Sequence, residues 1–178
     1  MTAGFARPGN RADIPAIVDC SIAAWSERLP DPSLLPAAEV LQAGWAQYFD
    51  SAPMPGRVAL VATADDAVVG WLMSDVADDA DLAHLRAVEI LDITVHPNHR
   101  RQGHGSRLVH ALADITRNQE MDALQMWCLA SDPALASFLA AQGFAADGAR
   151  RQLADLHDGE DSGAYEVRVL TDIRGERA

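Results

Sequence analysis

The spacing of apolar positions changes several times along this chain, and each change marks a structural element. Asp13 precedes Ile14-Pro15-Ala16-Ile17-Val18, a capping residue with an early proline, and apolar positions continue through Cys20, Ile22, Ala23 and Trp25. This predicts a first helix, because proline is tolerated in the first turn, where an N–H would have no partner. Phe5, just ahead of it, fits a short opening strand. Three prolines in Leu29–Pro36 interrupt the pattern. Ala38–Tyr48 then reads as a second helix, with Val40, Leu41, Ala43, Gly44, Trp45 and Tyr48 as its apolar positions, until Ser51–Gly56 breaks it.

Strand-sized runs follow. Arg57–Ala64 and Val68–Ser74, separated by Asp65-Asp66-Ala67, have the pattern of an antiparallel hairpin, and the acidic stretch Asp75–Asp81 reads as a solvated loop. Val88–Val95 is a longer strand that ends at His96-Pro97, where the missing amide stops a ladder. Leu108, Val109, Leu112, Ala113 and Ile115 recur at helical spacing over Gly105–Asn118, and Ala123–Leu129 is a buried strand, so this stretch predicts a strand, a crossover helix and a parallel strand. Asp132-Pro133 opens another helix, Ala134–Gln142, stopped at Gly143, and Phe144–Ala146, Arg151–Leu156 and Tyr165–Leu170 supply closing strands. Antiparallel strands around one β-α-β crossover predict a mixed α+β sheet in a single domain over residues 1–178, with too few crossovers for a doubly wound sheet.

Composition narrows the function classes. With 178 residues, 49% hydrophobic and 22% charged, the chain has the size and balance of one globular domain. Its longest apolar stretches are strand-sized and no basic segment followed by an apolar run opens it, which argues against membrane insertion or export. Cys20 and Cys128, without CxxC spacing, read as core thiols in a reducing compartment, the cytoplasm. A net charge of −12 disfavours nucleic acid and attracts cationic small molecules or basic peptides.

Against that acidic background, Val95-His96-Pro97-Asn98-His99-Arg100-Arg101-Gln102-Gly103-His104-Gly105-Ser106 stands out between a predicted strand and a predicted helix. Glycines let successive amides point into one concavity at a helix N-terminus, where the helix dipole favours an anion, and two arginines add positive charge. No Lys-Ser/Thr follows the glycines as in a P-loop, and the third glycine of a dinucleotide fingerprint would fall at Leu108.

Arg100-Arg101-Gln102-Gly103-His104-Gly105 resembles the Gln/Arg-x-x-Gly-x-Gly/Ala acetyl-CoA signature of the GNAT N-acetyltransferase superfamily, and Ile93-Thr94-Val95-His96-Pro97 resembles that family's fourth-strand ending. Trp127-Cys128-Leu129, Asp132, the helix after it and Gly143-Phe144 resemble its next block, so the likeness covers about residues 88–146. It implies a mostly antiparallel central sheet with helices on both faces, and transfer of an acetyl group from acetyl-CoA, without a metal, to an amine. It also implies that Ile93, Thr94 and Val95 hold the pantetheine arm like an added strand, and that Arg100, Arg101, Gln102, Gly103, His104, Gly105 and Ser106 line the pyrophosphate. Asp132 and Phe138 would flank the cofactor.

Glu89 stands where many members of the family place a general base; as an alternative it is simply a hydrogen-bonded or solvent-facing carboxylate at a strand start. Asp92 is the rival base, and strict alternation puts it on the face opposite Glu89. The sequence departs from the family at Leu139, where a tyrosine able to protonate the leaving thiolate is usual, and at Asp132, where asparagine is usual. Trp25, Arg28 and Tyr48, with Leu34, Leu35, Trp45 and Phe49, form an aromatic-rich set that could frame an amine, or else pack the helices onto the sheet. His96, His99 and His104 do not follow a metal-ligand spacing. The competing function is a domain that holds an acyl-CoA as a sensory or structural ligand without transferring from it. Pairing of two copies through the C-terminal strands is a further expectation.

Overall fold

The computed structural model describes residues 4–29, 31–153 and 164–174. Its sheet is organised around the predicted hairpin. Strands β2 (Val58–Ala64) and β3 (Ala67–Val76) are joined by Asp65-Asp66, whose φ angles of 48° and 66° give the backbone twist that two-residue hairpins favour. β1 (Phe5–Pro8) adds antiparallel to β2, and β4 (Ala87–Val95) adds antiparallel to β3. Helix α3 (His104–Asn118) then carries the chain over to β5 (Ala123–Leu129), the one strand parallel to its neighbour β4 among the described residues. β7 (Tyr165–Asp172) pairs antiparallel with β5, and β6 (Ala145–Gln152) with β7, giving the order β1-β2-β3-β4-β5-β7-β6. The fold is therefore the mixed, mostly antiparallel α+β sheet read from the sequence.

Helices cover both faces. On one, α1 (Ile14–Ser26) and α2 (Ala38–Asp50) pack Ile17, Val18 and Trp45 against Val61 and Trp71. On the other, α3 and α4 (Pro133–Ala141) bury Leu108, Leu112 and Leu139 against Leu60, Leu72, Val88, Ile90 and Leu124. Leu108 and Leu112 are spaced to share the buried stripe of α3, and truncating either to alanine would cost about 2–5 kcal/mol. Asp132 caps α4 by accepting from the Leu135 amide, and Pro133 follows in the first turn, as predicted.

Three sequence expectations are corrected. The separate strands predicted at Phe144–Ala146 and from Arg151 form one strand, β6, whose pairing with β7 slips between Ala146 and Arg150; residues 154–156 of the second prediction lie outside the described residues. The acidic stretch is not only solvated loop: Asp75 lies within β3, and Asp79 accepts from the buried Arg168 at 2.6 Å. Finally, β4 does not alternate strictly. Met73 pairs with Asp92 and Ser74 with Ile90, so Leu91 is an extra residue, a β-bulge. Val88 and Ile90 before it and Ile93 after it all reach the α3 face, which puts Glu89 and Asp92 together on the face of α1 and α2.

Candidate active site

The central geometric feature is a fork between β4 and β5. Their parallel ladder joins only Ala87–Glu89 to Ala123–Gln125, after which β4 runs on to Val95 and β5 to Leu129 without pairing. The edge of β4 beyond Glu89 that faces β5 thus lacks ladder partners, and Ile93, Thr94 and Val95 form its last stretch. Backbone groups on such an edge suit an extended arm that hydrogen-bonds like a strand.

The basic turn follows at the end of that edge. Arg101 and Gly103 adopt positive φ, 62° and 82°, and this alternation curls the chain so that its amides converge ahead of α3. Gly103 is the residue before the helix, and a side chain there would meet the Arg107 guanidinium at 3.2 Å. Arg107, one turn into α3, donates to the Gln102 carbonyl at 3.1 Å and places a further cation at the helix N-terminus. Its place four residues after Gly103 is a signal the sequence carries and the motif reading passed over. Gly105 is covered by Phe138: a Cβ there would lie 3.0 Å from the ring, with Val95 behind it. Ser106 is half-buried beside it.

Not every residue of the motif faces outward. The His104 side chain is buried, turned toward Gly4, with Nδ1 unpartnered among the described residues, so only its backbone amide is placed for an anion. Burial, with Arg107 and His99 nearby, holds its pKa below the ordinary histidine value. The Gln102 amide donates to the Asn98 carbonyl at 3.3 Å. Arg100 reaches back, donating to the Val95 carbonyl at 3.3 Å and to Glu27, the residue that ends α1, at 2.6 Å.

On the opposite side of the fork, Glu89 accepts from the Gln125 amide at 3.0 Å. Asp92 lies on the same face, its carboxyl pushed above its usual pKa by burial, which outweighs the pull of the Ile93 amide and of Arg28. Arg28, just beyond α1, lies 3.6 Å from Asp132 across the fork, so the C-terminal end of α1 meets both the basic turn, through Glu27, and the cap of α4. Trp25 is half-buried one turn earlier. Tyr48 does not join them: its hydroxyl donates to the Ser74 carbonyl at 2.7 Å and its ring packs on Trp45 and Phe49, while Trp45 stands edge-on to Trp71 at 4.9 Å. Of the predicted acceptor set, Tyr48, Trp45 and Phe49 pack the helix, whereas Arg28 sits near the fork, close to Asp92 and Asp132, with Trp25 one helical turn before it. Thr94 is buried opposite Trp71 with its carbonyl turned toward Gly70 on β3, so the backbone groups that face the β5 side in this stretch are those of Ile93 and Val95. Leu139, where the family pattern has tyrosine, is fully buried in the core.

A sheet that forks beside a basic, glycine-containing turn, with carboxylates on the far side, is the architecture of an acyl-CoA transferase. The sequence model of the Acetyltransferase (GNAT) family matches residues 21–144, and the chain belongs to that family. Acyl transfer is its enzyme class, and its members bind acetyl-CoA and an acceptor. The mycothiol acetyltransferase of Parafrankia sp. (strain EAN1pec) is 34% identical over 113 residues, 61% of this chain and 32% of that protein. The match spans 32% and 39% of the length of the curated relatives. The ribosomal-protein-S18-alanine N-acetyltransferase of Escherichia coli shares the fold, with a TM-score of 0.66 at 18% identity over 99% of both chains. So does an acetyltransferase from Salmonella typhimurium solved with acetyl-CoA, with a TM-score of 0.66 at 18% identity over 99% of this chain and 98% of that one. No described helix is long and apolar enough to cross a membrane.

Proposed function

We propose that the protein transfers the acetyl group of acetyl-CoA to a primary amine by direct attack, with Glu89 as general base. The observation that carries this reading is the fork, which sets Glu89 at the last paired position of β4 and the basic turn at the end of its unpaired edge. In the step itself the amine nitrogen bonds to the thioester carbonyl carbon, its proton passes to Glu89, and the C–S bond breaks as CoA thiolate leaves to be protonated from solvent. The pyrophosphate would sit on the amides of Gly103–Ser106 with Arg101 and Arg107 nearby, and the arm along Ile93–Val95. Asp132 and Phe138 would flank it from α4.

The acceptor would enter on the face of α1 and α2, past Trp25 and Arg28. Glu89 and Asp92 there, in a chain of net charge −12, favour a cationic amine over an anionic one. The relatives' name puts the deacetylated form of mycothiol first among candidates to assay.

The test is CoA-thiol release over a panel of amines, with acetyl-CoA binding measured alongside, for wild type and Glu89→Gln. Amine-dependent release that falls about 10²–10⁴-fold in Glu89→Gln, with acetyl-CoA bound normally, is the expected result. Equal release by both proteins would remove Glu89 from the chemistry. Binding without release from any amine would favour a domain that holds acyl-CoA without transferring from it, a reading to which the hydrocarbon at Leu139 lends support.

A further inference from the structure

We infer that Gln125 is a positioning residue that holds Glu89 in its working orientation, at a cost to the stability of the fold. This inference rests on the general-base reading of Glu89. Gln125 occupies the middle of β5, in a run whose other fully buried members, Ala123, Leu124, Met126 and Cys128, are apolar or thiol, and it is itself fully buried. A carboxylate can only accept, so the contact with Glu89 fixes which end of the amide faces it: Nε2 donates to Glu89 Oε2 at 3.0 Å. The amide is then left with Oε1 turned away, buried and without a partner among the described residues. An unpaired buried carbonyl destabilises a fold, and a methionine of similar shape would avoid that cost. What the glutamine supplies in exchange is one directed hydrogen bond, to the carboxylate that stands where the β4–β5 ladder ends.

The register explains why this bond orients Glu89. Gln125 is its direct cross-strand partner on the face of α1 and α2, and Asp75, its partner on β3, cannot donate and is itself held by Arg57 from the start of β2 at 2.9 Å. The other charged groups around this face are Asp92 on β4, Arg28 after α1 with Asp132 beside it, Arg168 on β7, which is occupied by Asp79 and Asp147, and Arg151 of β6, which lies over Trp127 and is occupied by Glu166 of β7; Tyr48 of α2 is committed to the Ser74 carbonyl. Among these, the donor bonded to Glu89 is Gln125.

The experiment measures kcat/KM against pH, acetyl-CoA affinity and Tm for Gln125→Met, Gln125→Glu, Glu89→Gln and the double variant Glu89→Gln/Gln125→Met. Gln125→Met is expected to lower kcat/KM about 10–100-fold, to leave acetyl-CoA affinity unchanged, to move the acidic limb of the profile to higher pH, and to keep or raise Tm. In the Glu89→Gln background the same change should cost nothing further, because residues that act as a unit are not additive. Gln125→Glu, which keeps the shape and polarity should the methionine fail to fold, is expected to move the acidic limb further, since two carboxyls in contact share a proton. Full activity in Gln125→Met together with a lower Tm would overturn the inference and leave the Glu89 reading standing. So would a loss that multiplies undiminished with that of Glu89→Gln. Full activity in Glu89→Gln would overturn both.

Discussion

The basic turn is twelve consecutive residues, Val95–Ser106, while the face across the fork gathers Arg28, Glu89, Asp92 and Gln125 from three separate parts of the chain, the end of α1, β4 and β5. In the turn, backbone conformation does the work: positive φ at Arg101 and Gly103, an amide-rich helix start, and a glycine that lets Phe138 close over it. Across the fork, side chains do it, and Glu89, Asp92 and Gln125 are where they are because of strand register. A local device tolerates changes in the surrounding sheet, whereas a register-dependent one is exposed to every slip in pairing.

The largest effect separating the two regions is expected from Gly105→Glu. A Cβ there meets the Phe138 ring at 3.0 Å, and the added carboxylate stands among the amides proposed to hold the pyrophosphate. Acetyl-CoA affinity should fall at least about 100-fold, the cost of losing one charge-assisted site and adding a repulsive one, while a circular dichroism spectrum stays that of wild type. Calorimetric titration reads the first, and unchanged affinity would detach the turn from the cofactor.

Asp92→Asn is expected to act next most strongly, and on stability. A carboxyl whose pKa is raised in the fold binds its proton more tightly there than in the unfolded chain, so stability falls as pH rises from the ordinary value of 3.8 through the raised one, and above it the fold carries a buried charge. Replacing that charge by an amide should raise Tm at pH 7 by about 2–4 °C, the shift that 1 kcal/mol produces in a chain of this size. The gain should shrink as pH falls toward 3.8. A Tm gain that persists unchanged at low pH would assign the effect to packing instead.

The same contrast decides what the sequence could reveal. The hairpin, the crossover and the basic turn were legible because each is written in neighbouring residues: two aspartates in a tight turn, one change of period from strand to helix, two glycines ahead of an apolar stripe. Strict alternation placed Glu89 and Asp92 on opposite faces because nothing in Ile90-Leu91-Asp92-Ile93 announces a bulge; it takes Ser74 and Met73 on β3 to define one. Tyr48 looked like a ligand because its backbone acceptor, the Ser74 carbonyl, lies on a distant strand. Besides Glu89, Asp92 and Arg28, the sequence carries one cross-fork signal that its reading left unused, Gln125, a lone amide inside an apolar run, since such a residue needs a polar partner when buried.

The smallest predicted effect tests whether the two regions are independent. Arg100 belongs to the turn, yet it donates to Glu27 at the end of α1, the helix that covers the acceptor face. Both side chains are substantially exposed, so the pair contributes only about 0.2–1 kcal/mol. If Arg100 leaves Glu27 to meet the cofactor's phosphates, that amount opposes binding, and Glu27→Gln should tighten acetyl-CoA affinity by about 1.4–5-fold at low ionic strength, converging on wild type as salt is added. Arg100→Gln should abolish the difference between Glu27 and Gln at that position. Tighter binding in Glu27→Gln would mean that cofactor entry releases a carboxylate at the end of α1 and so changes the charge an amine meets next. Unchanged or weaker binding would mean that Arg100 stays with Glu27 throughout, and that the turn's contribution comes from its amides, Arg101 and Arg107 alone.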